Sequence, residues 1–227
     1  DYGPLFEKAR ARGIVNIIVF YPLSLGIMKT PGEMKADIAV GEGQSLGLPL
    51  SFGGPYLGVM AVEKKFVRKM PGRIVGETVD RKGKPAFVLT LQAREQHIRR
   101  EKATSNICSN QALCALRAVV YLSLLGREGF RKTALICMER AEYLKEQLRS
   151  IKGIKVCNGQ TFNEFAVDLS IPAADFVKGM LALGFVGGLP ASLFYKDMEK
   201  RIIIAVTEKR SFKETEEYAA AARKVLS

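Results

Sequence analysis

The sequence predicts an α/β protein in two parts, an α/β sheet layer followed by a small α+β domain. Residues 14–20 form a run rich in β-branched side chains, which fits a strand buried on both faces. Residues 36–40 read as a second short strand, and Gly41-Glu42-Gly43-Gln44-Ser45 follows at once. That places a loop at a strand's carboxyl end, the edge where open α/β sheets bind ligands. After Lys152-Gly153 the pattern changes to short strands at 154–156, 165–169 and 202–206 around a helix near 173–183.

The remaining elements follow in chain order. Residues 5–12 suit a helix that Gly13 ends. Pro31-Gly32 marks a turn. The stretch 47–58 holds Gly47, Gly53, Gly54 and Gly58 with Pro49 and Pro55. It has neither the order of a P-loop nor that of a dinucleotide site, so it signals only tight turns and close backbone approach. A strand is expected at 57–62, a turn-rich stretch at 70–76, and a hairpin tip at Arg81-Lys82-Gly83-Lys84 before a strand at 87–91. Asn106 is placed to cap a long helix that Gly126 closes. The next helix, 128–149, sets Ala134, Cys137, Met138, Ala141, Leu144 and Leu148 on one face. Ser211 and Glu214 form a capping box for a last helix ending near Leu226. The domain boundary is expected near residue 120, giving parts 1–120 and 121–227.

The 227 residues suit one or two compact domains, and 48% hydrophobic with 26% charged residues excludes a disordered chain. The longest apolar run, 112–125, contains Arg117 and is too short to span a bilayer. The opening Asp1-Tyr2-Gly3-Pro4 carries no initiator Met and no basic-then-apolar leader. The chain therefore reads as a piece of a longer protein that lacks its N-terminal portion. Cys108, Cys114, Cys137 and Cys157 show no C-x-x-C spacing and suit free thiols in a reducing cytoplasm. His97 is the single histidine, which argues against a zinc site or a Ser-His-Asp triad. The net charge of +12 implies an acidic partner, whether nucleic acid, membrane surface or protein. Its densest cluster is Arg94, His97, Arg99, Arg100 and Lys102, interleaved with Glu95 and Glu101. The absence of Trp and of aromatic–basic interleaving disfavours a nucleic-acid module.

Three blocks carry a family resemblance. They are Ala36-Asp37-Ile38-Ala39-Val40-Gly41-Glu42-Gly43-Gln44 with Phe52-Gly53-Gly54-Pro55, then Met70-Pro71-Gly72-Arg73-Ile74-Val75-Gly76, then the long stretch from Gln92 to Cys108. Together they resemble the glycine dehydrogenase (decarboxylating) family, the P-protein of the glycine cleavage system. Asn163-Glu164-Phe165 and Ala205-Val206-Thr207-Glu208 resemble that family's small domain. The resemblance implies the PLP-dependent transferase fold type I, here the C-terminal part of its large, mostly parallel sheet domain plus a small C-terminal α+β domain. It also implies a split enzyme with two homologous subunits in a heterotetramer, and this chain resembles the PLP-free one. The PLP-bearing beta subunit would decarboxylate glycine and pass the aminomethyl group to the lipoyl arm of the acidic H-protein.

In that fold the Schiff-base lysine stands in a loop after a short strand, and the matching position here is Gln44. An amide has no nucleophilic lone pair and forms no imine. The acid that keeps the pyridinium protonated ends an earlier strand, where this chain has Tyr21. No catalytic residue is therefore expected in this chain. No lysine lies between Lys35 and Lys64, so the alternative linking residues are Lys29 and Lys35, both ahead of the strand. Thr104, Ser105 and Asn106 open a helix and are candidates to reach the partner's PLP phosphate, a role compatible with plain capping. Arg94, His97, Arg99 and Arg100 are candidates for binding a partner, or they pair with internal or interface carboxylates. The competing functions are an autonomous PLP enzyme, a basic nucleic-acid-binding module and a purely structural subunit.

Overall fold

The computed structural model describes residues 1–103 and 111–227, so Thr104, Ser105, Asn106 and Cys108 lie outside the described residues. The chain divides into two compact units, Asp1–Leu124 and Leu125–Ser227.

The first unit opens with helix α1 (Gly3–Arg10), whose Pro4 sits in the first turn, where no amide donor is missed. Strands β1 (Ile17–Phe20), β2 (Ile38–Glu42) and β3 (Gly58–Val62) form a sheet in the order β1-β2-β3. β1 and β2 are parallel, with Phe20 opposite Gly41, and β3 returns antiparallel to β2. The core here is small: Phe6, Ile18, Met34 and Ala39, with Phe20 and Ala36 against it.

The first strand departs from the sequence reading. It begins at Ile17, because Asn16 is drawn out of the ladder: its backbone N–H donates to Asp37 Oδ2 at 2.8 Å and its side-chain amide to the Phe6 carbonyl at 3.1 Å. Nor is it buried on both faces, since Ile18 is buried while Ile17 and Val19 are 58% and 80% exposed. An apolar run has the same pattern whether one face or both are covered, and among the described residues β1 pairs only with β2 and is packed on one face.

Strands β4 (Ile74–Val79) and β5 (Pro85–Thr90) make a two-stranded hairpin. Only the start of the expected turn-rich stretch is a turn; the Pro71-Gly72 signal had masked a strand that starts two residues on. The tip closes as its residue types suggest, with the Lys82 and Lys84 N–H groups donating to Asp80 Oδ1 at 2.7 and 2.9 Å. A single helical turn, α2 (Gln96–Arg99), follows. Helix α3 (Ala112–Arg149) is interrupted at Gly126, whose φ of 58° and ψ of −173° are non-helical. Gly126 is where the sequence reading closes one helix and starts the next.

In the second unit, Ala134, Cys137, Ala141, Leu144 and Leu148 of α3 are buried, as their common helical face requires. Then come β6 (Ile154–Val156), β7 (Glu164–Leu169), α4 (Ala173–Ala182), β8 (Leu189–Pro190), β9 (Arg201–Ala205) and α5 (Phe212–Leu226). The sheet is antiparallel throughout in the order β6-β7-β9-β8. β7 and β9 alternate, so Phe165, Val167, Ile202 and Ile204 face a core that includes Phe176, Met180 and Tyr218. Two-residue β8 carries no periodicity and escaped the sequence reading. The capping box holds α5, with the Glu214 N–H donating to Ser211 Oγ at 3.2 Å and the Ser211 N–H to Glu214 Oε2 at 2.6 Å.

Candidate functional site

The loop of residues 43–57 leaves the carboxyl end of β2 and returns through β3. Glu42, the last residue of β2, fastens both ends of it. Its carboxylate accepts the N–H of Gln44 and the N–H of Leu57, each at 2.9 Å. The Gly43 N–H donates to the Leu57 carbonyl at 2.6 Å. A Cβ on Gly43 would stand 3.1 Å from that oxygen, so glycine permits the close approach. Further along, Gly47 has φ +84°, and a Cβ there would meet the Tyr121 ring at 2.8 Å. Its carbonyl accepts from Arg117 Nε at 2.6 Å. Arg117 and Tyr121 are one turn apart on α3 and hold the loop from the same helix face.

Gln44 is half-buried, and its side-chain Nε2 donates to the Pro49 carbonyl at 3.3 Å. Its own carbonyl accepts from the Leu48 N–H at 3.0 Å. The amide is thus folded back onto the loop. Beside it, the buried Ser45 hydroxyl has no hydrogen-bond partner among the described residues. Tyr21 follows β1 with extended backbone and offers its carbonyl to the Ser24 N–H and hydroxyl at 3.0 and 2.7 Å. Since β1 and β2 are parallel and in register at Phe20 and Gly41, Tyr21 and the Gln44 loop leave the same sheet edge.

The basic segment is divided. Arg94 turns inward, donating to the Gly72 carbonyl at 2.8 Å and standing 3.7 Å from Glu95, with its Nε buried and unpartnered among the described residues. It ties the chain after β5 to the chain before β4. His97, Arg99 and Arg100 are exposed, and Arg99 Nε donates to the Ala93 carbonyl at 3.1 Å.

One charged group escaped the sequence reading. Asp37 is buried at the amino end of β2, where it accepts the Asn16 N–H and pairs with Lys65 at 2.5 Å and Arg10 at 3.5 Å. The hydrogen bond from Lys65 holds its carboxyl below the ordinary carboxylate range. An aspartate inside Ala-Asp-Ile-Ala-Val was the available signal. Its place, at the opposite end of β2 from Gln44, makes it an anchor for α1 and the sheet. Lys29 and Lys35 also precede β2, and they pair with Asp1 at 2.5 Å and Glu7 at 2.7 Å. The strand alone separates them from the loop by roughly 15 Å at the usual rise per residue.

In the second unit a cavity of about 870 Å³ lies among Phe185, Val186, Leu189, Ile203, Glu214 and Tyr218. The Tyr218 hydroxyl donates to the Gly187 carbonyl at 2.5 Å, and burial raises its pKa. Cys114, Cys137 and Cys157 are free thiols, and burial pushes the Cys137 thiol up to about 12. Among the described residues no helix is long and apolar enough to cross a membrane.

A parallel strand pair with a ligand-edge loop, preceding a small antiparallel α+β unit, is an arrangement found in PLP-dependent transferases of fold type I. The chain superposes on a cysteine desulfurase from Escherichia coli with a TM-score of 0.67 at 13% identity, over 100% of this chain and 55% of that one. The chain belongs to the glycine cleavage system P-protein family, whose model matches residues 1–221. It is 52% identical over 227 residues to the probable glycine dehydrogenase (decarboxylating) subunit 1 of Citrifermentans bemidjiense, covering 100% of this chain and 51% of that one. It matches the crystal structure of a glycine decarboxylase (P-protein) of the glycine cleavage system, in inhibitor-bound form, with a TM-score of 0.92 and 43% identity, over 100% of this chain and 52% of that one. The chain thus spans about half the length of these P-protein relatives.

The cofactor of this fold class is joined to a lysine amine, and the loop after β2 does not fit that link. The loop carries an amide at position 44 and no lysine, and the two lysines nearest before it are paired to carboxylates beyond the far end of β2.

Proposed function

We propose that the chain is part of the PLP-free subunit of a two-subunit P-protein. In this reading a homologous PLP-bearing beta subunit decarboxylates glycine and transfers the aminomethyl group to the lipoyl arm of the H-protein, in the cytoplasm. This chain completes the beta subunit's active site and stabilises the assembly, a heterotetramer. The observation that supports the reading is the amide of Gln44 on the loop leaving the carboxyl end of β2, which we take as the counterpart of the Schiff-base lysine. We take Tyr21, at the end of β1, as the counterpart of the pyridinium acid. Thr104, Ser105 and Asn106 are assigned to the beta subunit's PLP phosphate, and His97, Arg99 and Arg100 to partner binding. Arg94 serves that surface indirectly, through its bond to Gly72.

Two measurements test the reading. The full-length chain is incubated with PLP and treated with borohydride, then digested and weighed. No peptide of this chain should carry pyridoxal. The same chain co-expressed with the homologous subunit should restore glycine–bicarbonate exchange that neither shows alone. A pyridoxyl peptide from this chain, or exchange by this chain alone, overturns the proposal.

A further inference from the structure

Of the asparagines in the sequence, only Asn158 stands before a glycine. Such a pair is chemically labile, because glycine carries no Cβ to keep its amide nitrogen from the asparagine side chain. The pair lies where β6 and β7 part. Their ladder ends with Val156 opposite Val167, and the Cys157 N–H still donates to the Ala166 carbonyl at 3.0 Å. Beyond that point Asn158, Gly159 and Gln160 are exposed. Among the described residues no hydrogen bond engages the Gly159 N–H or the Asn158 side-chain amide. Gly159 has φ +128°, and a Cβ there would meet nothing within 4 Å. The buried Lys145 ammonium holds the loop from inside, donating to the Gly159 carbonyl at 3.4 Å and the Thr161 hydroxyl at 3.1 Å. The fold thus brackets the pair without occupying the two groups that would react. Asn16 and Asn163 differ on each count. They are 5% and 6% exposed and precede Ile17 and Glu164. The Asn16 amide is spent on the Phe6 carbonyl, and the Asn163 carbonyl accepts the Val206 N–H at 2.8 Å.

We infer that Asn158-Gly159 is a site of spontaneous deamidation and isoaspartate formation. The Gly159 nitrogen attacks Asn158 Cγ, so that an N–Cγ bond forms and the Cγ–Nδ2 bond breaks. The departing nitrogen takes the Gly159 amide proton and leaves as ammonia. Water then opens the cyclic imide. Attack at Cγ gives aspartate, and attack at the main-chain carbonyl carbon of residue 158 gives isoaspartate, in which the backbone runs through the former side chain. Nothing is oxidised or reduced: one water is consumed, one ammonia is released, and a neutral amide becomes a carboxylate. The net charge of +12 falls by one. The ring closure is internal to the loop and the opening uses only water, so the chemistry needs no partner and stands apart from the two-subunit reading.

The test uses the folded, full-length chain, held at mildly alkaline pH and physiological temperature and then digested. The peptide with Asn158 should gain the mass difference between OH and NH2. It should also accept a methyl group from S-adenosylmethionine and a protein isoaspartyl methyltransferase, while the peptides with Asn16 and Asn163 stay as they were. Asn158→Gln, whose longer side chain closes a larger ring more slowly, should cut methyl incorporation at least tenfold with the fold kept. Fresh Asn158→Asp should run with the aged wild type in isoelectric focusing. Survival of Asn158 in the folded chain overturns the assignment. If it survives there and is lost only in denaturant, the fold or the chain beyond these residues holds the two amides after all. Conversion of Asn16 or Asn163 as fast as Asn158 overturns it as well, since neither exposure nor the glycine would then select the site.

Discussion

The two units handle their apolar residues in opposite ways. In Leu125–Ser227 the sheet alternates cleanly, α4 and α5 lie over it, and eighteen buried residues make one cluster. In Asp1–Leu124 the corresponding cluster has four, while Ile17, Val19, Val75, Phe87, Leu113 and Leu116 all point outward. The second unit closes its own core. The first holds its backbone with polar anchors at Asp37, Glu42 and Arg94, and in a chain that spans about half the length of its relatives it has apolar side chains that no described residue covers. Stability in the one should be a matter of packing, and in the other of a few hydrogen-bonded charges.

Mutations can break that contrast. The largest effect is expected for Phe176→Ala, which empties a fully buried site in the second core and should cost about 3–5 kcal/mol in urea unfolding. Val19→Ala in the first unit should change stability by less than about 0.5 kcal/mol in the same experiment, because the side chain is exposed. Equal losses at the two positions would erase the distinction.

Next, Asp37→Ala should cost about 1–3 kcal/mol by leaving the Asn16 N–H without its acceptor and Lys65 without its main partner. The sign of its pH dependence is fixed by the lowered carboxyl pKa. The stabilisation is fully present above the unfolded value near 4 and fades as pH falls through the lower folded value. Unfolding midpoints of wild type and variant should therefore converge in acid and separate toward neutrality. Gly47→Ala should cost roughly 1–3 kcal/mol, since it combines positive φ with a clash on Tyr121. A smaller loss than at Phe176, about 1 kcal/mol, is expected for Ser211→Ala, which removes half of the α5 capping box. A melting scan that separates the two units would show that loss in the second transition only.

Where one residue type has one local use, the sequence was readable. Gly126 breaks the long helix, Ser211 and Glu214 cap α5, the hairpin turns at Arg81-Lys82-Gly83-Lys84, and α3 buries Ala134, Cys137, Ala141, Leu144 and Leu148 of the expected face while Met138 is half-buried. The resemblance blocks led to the family and fold that the comparisons show. What could not be read depended on contacts distant in sequence. The covered and bare faces of β1 share one apolar pattern, and only the third dimension tells them apart. Arg94 looked like its neighbours in a charged run until Gly72, twenty-two residues earlier, turned out to be its acceptor. Asp37 drew no attention because its cations come from helix α1 and from beyond β3.

The clamp formed by Glu42 separates architecture from chemistry in the loop it closes. Position 44 contributes to that clamp through its backbone amide, which every residue but proline possesses. Rewriting the side chain there forfeits its bond to the Pro49 carbonyl but leaves strand pairing and the Glu42 clamp in place. On the two-subunit reading proposed above, a lineage that carries two copies of such a fold can disarm one at this position without unravelling it, and keep the disarmed copy as a scaffold for the other.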